Sequence, residues 1–297
     1  MGNNSMLRSA TIGLVFLFGA ASPLPSHGQW VEAPGTGWIQ VRIAHQQTQE
    51  GFSEEGNVIP LDELDPDARS IITTARLTGV LGLFRGLDTW VDLPFHRQKF
   101  DGSGSDLLTT GLGDPRLFLR AGPSLVGVDA LPVAVALRGG VKLTTGTFEN
   151  DAETISLSQG QRDWSLLLEV GKSLHPLPMY VSGWTGYRWR EENEEIARDF
   201  GNEWIFNTAV GGRLDRFEWK VAVDGMFGQS TFGTRTGFKF AARELVQVIP
   251  TAGWNVGPGT VQIGARIPVH GQSPRFDRLP ASPTVTLGYF LSWNDPL

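Results

Sequence analysis

The sequence predicts an all-β chain: a transmembrane antiparallel β-barrel of about twelve strands, with short periplasmic turns and long extracellular loops. Three observations predict it. Apolar and polar residues alternate with period two over segments of about 8–13 residues. The connections between those segments alternate in length, short then long. Tryptophans gather near segment ends on the apolar face, where an amphipathic ring suits a membrane–water boundary.

Composition narrows the field before any element is placed. The chain has 297 residues, room for one large domain or two ordinary ones. Its 40% hydrophobic content is too high for a disordered chain. A net charge of −6 argues against a nucleic-acid binder, whose footprint would be a basic face. With no cysteine, disulfides, thiolate catalysis and Cys-based zinc sites are excluded. The 37 glycines, and 10 tryptophans against 3 tyrosines, point to β-structure rather than a helical enzyme.

The first element is an address. Arg8 is the only charge before residue 31, and an apolar run from Ala10 to Ala21 follows it. That run is shorter than the ~20 residues of a spanning helix and fits a secretory signal peptide. Residues 1–28 are read as the removed signal, with cleavage after Ala21 or Gly28, and 29–297 as one barrel domain.

Strands are expected at 38–46, 70–84, 89–99, 114–121, 132–144 and 163–172, then 179–190, 203–213, 218–228, 243–255, 260–270 and 284–293. In the second, Ile71, Ala75, Leu77, Leu81 and Leu83 oppose Thr74, Arg76 and Thr78. In the fifth, Val133, Val135, Leu137, Val141 and Leu143 oppose Ala134, Ala136, Arg138, Gly140 and Lys142; a helix would scatter the two cations among the valines. In the eleventh, Val261, Ile263, Ala265, Ile267 and Val269 oppose Gln262, Gly264, Arg266 and His270. In the last, Val285, Leu287, Tyr289, Leu291 and Trp293 oppose Thr284, Thr286, Gly288 and Ser292.

Short connections fall at 85–88, 174–177, 214–217 and 257–259, with a longer one at 122–131. Long polar ones fall at 47–69, 100–113, 145–162, 191–202, 229–242 and 271–283. An even strand number with this alternation puts both termini on the periplasmic side. Trp164, Trp189, Trp204, Trp219, Trp254 and Trp293 lie on the apolar face, three at each rim. Trp38, Trp90 and Trp184 fall on the polar face, as lumen contacts or as mismatches.

A lipid-facing barrel must be apolar outside and close on itself, because lipid cannot satisfy backbone groups. Its interior is then free to be charged. The inward face carries Arg42, Arg76, Arg116, Arg120, Arg138, Lys142, Arg188, Arg213, Lys220 and Arg266, against fewer acids: Asp92, Glu169 and Asp224. Of these, Arg76, Arg116, Arg138, Lys142, Arg188, Arg213 and Arg266 are the candidate lumen-lining residues. Fixed positive charge in a narrow lumen concentrates anions. The competing readings are a lumen plugged by Arg–carboxylate pairs, a soluble sandwich, and a propeller.

No catalytic, cofactor or metal site is read from the sequence, and the chain is not read as an enzyme. The five histidines are isolated and no Gly-x-Ser-x-Gly elbow occurs. A barrel lipase would need a serine beside His45 or His270 at a rim. Acids crowd two loops: Glu50, Glu54, Glu55, Asp62, Glu63, Asp65 and Asp67, then Glu191, Glu192, Glu194, Glu195 and Asp199. They are solvated loop charge or weak divalent-cation ligands bridging lipopolysaccharide.

Three stretches carry a family resemblance: GLGDPRL at Gly111–Leu117, GGVKLTTGT at Gly139–Thr147 and GARIPVHGQ at Gly264–Gln272. Together they resemble the outer-membrane proteins associated with the meta-pathway of phenol degradation, a transporter family with a Gly-Leu-Gly-Asp strand start and a Leu-Pro-Thr-Gly strand end. Thr144 stands where that family usually has the proline. The resemblance implies a barrel serving uptake of small aromatic or hydrophobic compounds. The expected function is passive transport of small solutes, aromatic, hydrophobic or anionic, across a Gram-negative outer membrane. The expected partners are outer-membrane lipid, lipopolysaccharide and the solutes, not nucleic acid. A non-conducting structural or adhesive barrel is the alternative.

Overall fold

A strand whose alternate side chains are Ile, Val and Leu has one greasy face and one polar face, and it closes into a ring when the greasy face must meet lipid. The computed structural model describes residues 31–61, 67–102, 105–129, 131–145, 154–274 and 277–293. The expected signal segment 1–28, the loop acids Asp62, Glu63 and Asp65, and Gly146 and Thr147 of the second motif lie outside the described residues.

In chain order the strands are β1 (Gly37–Thr48), β2 (Glu50–Phe52), β3 (Val58–Pro60), β4 (Arg69–Phe84), β5 (Leu87–Gly102) and β6 (Ser105–Leu112). Next come β7 (Arg116–Ala121), β8 (Ala134–Lys142), β9 (Asp163–Ser173), β10 (Met179–Arg190) and β11 (Arg198–Asp199). The last five are β12 (Glu203–Leu214), β13 (Phe217–Gly233), β14 (Lys239–Val256), β15 (Gly259–Gln272) and β16 (Thr284–Trp293). Twelve of them form a closed antiparallel ring, β1-β4-β5-β7-β8-β9-β10-β12-β13-β14-β15-β16, with β16 pairing back onto β1. The other four serve the loop end. β2 and β3 form a small hairpin, β11 pairs β13, and β6 extends the β5 edge above β7. Among the described residues the only helical turn is the 3₁₀ segment Pro123–Val126 in the longest of the short connections.

Burial follows parity. In β1, Ile39, Val41 and Ile43 are exposed while Gln40, Arg42 and Ala44 between them are half-buried. Leu117 and Leu119, Leu166 and Leu168, and Ile263 and Ile267 continue the exposed belt on other strands. This exterior would be a strong aggregation liability in water and is matched to lipid. Trp164 faces Trp189 across the β9–β10 pair near the long-loop end, with Trp204 on β12 at the same end. Trp219, Trp254 and Trp293 sit near the short-turn end. The six expected girdle positions therefore split three and three.

Two connections differ from expectation. The stretch 229–242 is not a long loop: β13 runs to Gly233 and β14 begins at Lys239. Above the lipid belt both strand faces meet water, so period-two alternation fades while the ladder continues. The stretch 100–113 is likewise mostly strand, because β5 runs to Gly102 and pairs with β6. The break between β6 and β7 holds Pro115, which has no N–H for a ladder. Pro268 sits at the register shift between β14 and β15, the other place a ladder tolerates it.

Candidate lumen and solute path

The inner wall is built of ion pairs in two patches, one toward each end. Near the short-turn end, Asp88 at the start of β5 is fully buried and takes three contacts from Arg120 of β7. Arg120 Nε lies 3.1 Å from each carboxylate oxygen and Nη2 donates at 2.6 Å. Arg120 Nη1 also reaches Glu169 Oε2 at 3.4 Å, and Arg138 Nε lies 2.7 Å from Glu169 Oε1. Both guanidiniums stand over Trp90, at 5.5 Å and 4.5 Å from its ring centre, and Arg138 also faces Phe118 and Trp184. The aromatic faces stabilise cations that burial would otherwise penalise.

The segment before β1 completes this patch. Residues 31–36 fold against the inner ends of β4, β5 and β7. Gly35 N donates to Gly82 O, Gly82 N to Thr36 O, and Glu32 N to Asp88 Oδ2, each at 2.9 Å. A side chain at Gly82 would collide with the Ala33 carbonyl, so glycine is required for this close approach. The segment thus covers the β4–β7 side of the short-turn mouth. Glu32 is pushed above the usual carboxylate range, chiefly by burial, against the opposing pull of Arg120.

Near the long-loop end a second patch covers the β8–β12 side. Lys142 lies 2.9 Å from Asp163 and 3.6 Å from Asp114. Glu203 receives Arg188 at 2.7 Å and Arg190 at 3.0 Å. Loop residue Gln159 caps the group, its side-chain oxygen accepting from Lys142 Nζ and Arg190 Nη2 at 3.0 Å each. Asn193 Nδ2 ties the next loop to Gln159 O at 2.7 Å. Higher on the rim, Glu191 accepts from Arg162 and Trp164, and the Trp164 hydrogen bond chiefly holds its carboxyl below the usual range.

Among the described residues two open spaces lie toward opposite ends, with β15 lining both. The first, about 180 Å³, lies between β1, β4, β15 and β16 and is lined by Arg42, Arg76, Arg266, Thr74, Thr284 and Thr286 with Ala44, Gln46 and Ile72. The second, about 490 Å³, opens at the short-turn mouth beside the part covered by residues 31–36; Tyr180, Arg213, Glu218, Lys220, Thr251 and Gln262 line it. Lys220 of the second space lies within electrostatic range of Arg42 and Arg266 of the first. Trp38, Trp90 and Phe290 form an aromatic cluster below the first space, with Trp38 packed 5.1 Å from Trp90 edge-on. Trp38, Trp90 and Trp184 are therefore lumen residues, as one reading of their parity allowed.

The seven expected lumen residues separate into kinds. Arg138, Lys142 and Arg188 belong to the ion-paired wall. Arg76 pairs with Asp92 while still lining the smaller space. Arg213 is at the mouth, paired with Glu218. Arg116 and Arg266 make no ion pair among the described residues, nor do Arg42 and Lys220, two further inward cations that line the open spaces. The expected shortage of acids is corrected: Asp88, Asp163, Glu203 and Glu218 also face inward and carry much of the pairing. All four stand at the first or second position of a strand, where period-two alternation has too few residues to assign a face. The two rim histidines make other contacts: His45 Nδ1 is 2.9 Å from Thr73 Oγ1, and His270 Nε2 is 3.4 Å from Glu244.

An all-β ring with an apolar exterior, two tryptophan girdles and a charged interior defines an outer-membrane-type β-barrel. The family described as "Putative MetA-pathway of phenol degradation" matches residues 66–276, most of the chain, and the protein belongs to that family. Among solved structures the fold is similar to the COG4313 outer membrane channel from Pseudomonas putida F1, with a TM-score of 0.69 at 15% identity, covering 90% of this chain and 98% of that one. OmpT of Vibrio cholerae overlaps more loosely, with a TM-score of 0.38 at 10% identity over 86% of this chain and 98% of that one. Among curated proteins none matches the chain.

Proposed function

We propose that the protein resides in the outer membrane of a Gram-negative cell and passes small solutes by diffusion, anions in preference to cations. The observation that carries this reading is the pair of open spaces toward opposite ends, linked by Arg42, Arg266 and Lys220, which make no ion pair among the described residues. Ion pairs line the β5–β12 side and residues 31–36 cover part of the short-turn mouth, which supports an oblique path between the two spaces. It descends from the long-loop end beside β1 and β16 to the short-turn end beside β10–β15. Low-dielectric walls focus the field of Arg42, Arg266 and Lys220 along it. The short-turn end is assigned to the periplasm and the long-loop end to the exterior.

The extent of the two ion-pair patches supports a second reading, a plugged barrel with a structural or adhesive role. Planar-bilayer recording of the refolded protein separates the two. Discrete current steps are expected; folded protein that gives none overturns diffusion through the lumen.

A further inference from the structure

We propose that the cavity between β1, β4, β15 and β16 is a binding subsite for a small carboxylate carrying a short apolar tail. The proposal rests on the reading of the lumen as a solute path and names what that path holds.

The register places Arg42 directly opposite Arg76 on the paired β1 and β4 strands. Like charges facing one another across a ladder destabilise it, so nothing in the packing of the sheet calls for this pair. Arg266 lines the same cavity from β15. The available acids leave the group positive. Asp92 is taken by Arg76, and Asp224 lies within electrostatic range of Arg266 without forming an ion pair with it. Arg42 spends one donor on the neutral side chain of Gln40, at 2.7 Å. Three guanidiniums thus converge on about 180 Å³ of space, two of them with no carboxylate of their own.

The rest of the lining sets the ligand class. Planar guanidiniums match a carboxylate with two parallel donors. The hydroxyls of Thr284 and Thr286 offer neutral hydrogen bonds around it, while Thr74 is engaged with His96 and Gln46 donates to the Ser282 carbonyl. Ala44 and Ile72 give a small apolar patch suited to a few methylene groups and not to a second charge. The volume lies below the ~300 Å³ at which drug-sized ligand pockets begin, so the ligand is compact. An inorganic phosphate dianion would satisfy the arginines but leave the apolar patch unused.

The test uses the full-length barrel folded in detergent, with binding read by calorimetry, so it does not depend on conduction. Butanoate is the probe, butan-1-ol its uncharged counterpart and inorganic phosphate the competing anion. Saturable butanoate binding is expected, with butan-1-ol at least about tenfold weaker because a charge-assisted pair is roughly twice as strong as a neutral one, and with phosphate weaker because it leaves the Ala44–Ile72 patch unfilled. Arg42→Gln and Arg266→Gln are each expected to weaken butanoate about tenfold, while Arg162→Gln on an outer loop leaves it within twofold. Heat-modifiable gel migration confirms that each variant is folded. The comparison of the three ligands on the unmodified protein stands even if one variant does not fold. Equal binding of butan-1-ol and butanoate, tighter phosphate than butanoate, or no saturable binding would each overturn the subsite. Butanoate binding without current steps would keep the subsite and sink the diffusion path; current steps without binding would do the reverse.

Discussion

Removing the Asp88 carboxylate tests the short-turn patch most sharply. Asp88 is fully buried, pairs with Arg120 through both oxygens and accepts the backbone N–H of Glu32. In Asp88→Ala the guanidinium of Arg120 keeps only Glu169, at 3.4 Å, and that carboxylate already serves Arg138. Breaking a buried pair on one side costs about 3–5 kcal/mol, because the surviving charge is stranded. Replacing both members with apolar groups removes the stranded charge, so adding Arg120→Met is expected to restore most of that loss. Urea unfolding of the four proteins in liposomes gives the cycle. A coupling free energy of about 2 kcal/mol or more is expected, within the range for residues in contact. Additivity within about 0.5 kcal/mol would refute the claim that this pair organises the wall.

Gly82→Val places side-chain atoms where the Ala33 carbonyl sits, so residues 31–36 should leave the lumen. Single-channel conductance should rise, and a protease added on the short-turn side should cut near Ala33 faster than in the unmodified protein. Leu168→Arg puts a charge in the middle of the exposed apolar belt and should destabilise the bilayer-embedded barrel by about 2–4 kcal/mol in unfolding titrations. Lys142→Met removes the nearest cation of Asp163 and one of the two donors to the Gln159 side-chain oxygen, leaving both to Arg190. Hydrogen exchange in residues 154–161 should accelerate while the distant β14–β15 ladder stays protected.

Parity made most of the barrel legible. The valines and cations of 133–143 assign opposite faces without reference to any other strand, and the same logic orders the twelve ring strands correctly. Alternation fails where the environment is the same on both faces, which is why the upper parts of β13 and β14 read as loop. The lumen was less legible. Asp88, Asp163 and Glu203 stand where a strand begins, and an acid there has no periodic signature to separate it from a solvated turn. Gln159 and Asn193 are ordinary loop polar residues until the loops fold inward over Lys142 and Arg190. Residues 31–36 carry no period at all, so their place against Gly82 and Asp88 follows only from three-dimensional packing. The sequence did mark Arg116 and Arg266 as inward cations. That they stay unpaired while Arg138 and Arg188 do not depends on which acids reach them across the lumen.

The central claim is that unneutralised cations line the open path. The most direct measurement is the reversal potential of the conducting protein under a tenfold potassium chloride gradient, with and without Arg42→Gln, Arg266→Gln and Lys220→Gln combined. Fixed charge in a narrow lumen selects by sign, and the effect weakens as salt screens it. An anion-selective potential is expected, moving toward zero in the triple variant and at higher salt. Cation selectivity, or anion selectivity that the triple variant leaves unchanged, would contradict the claim.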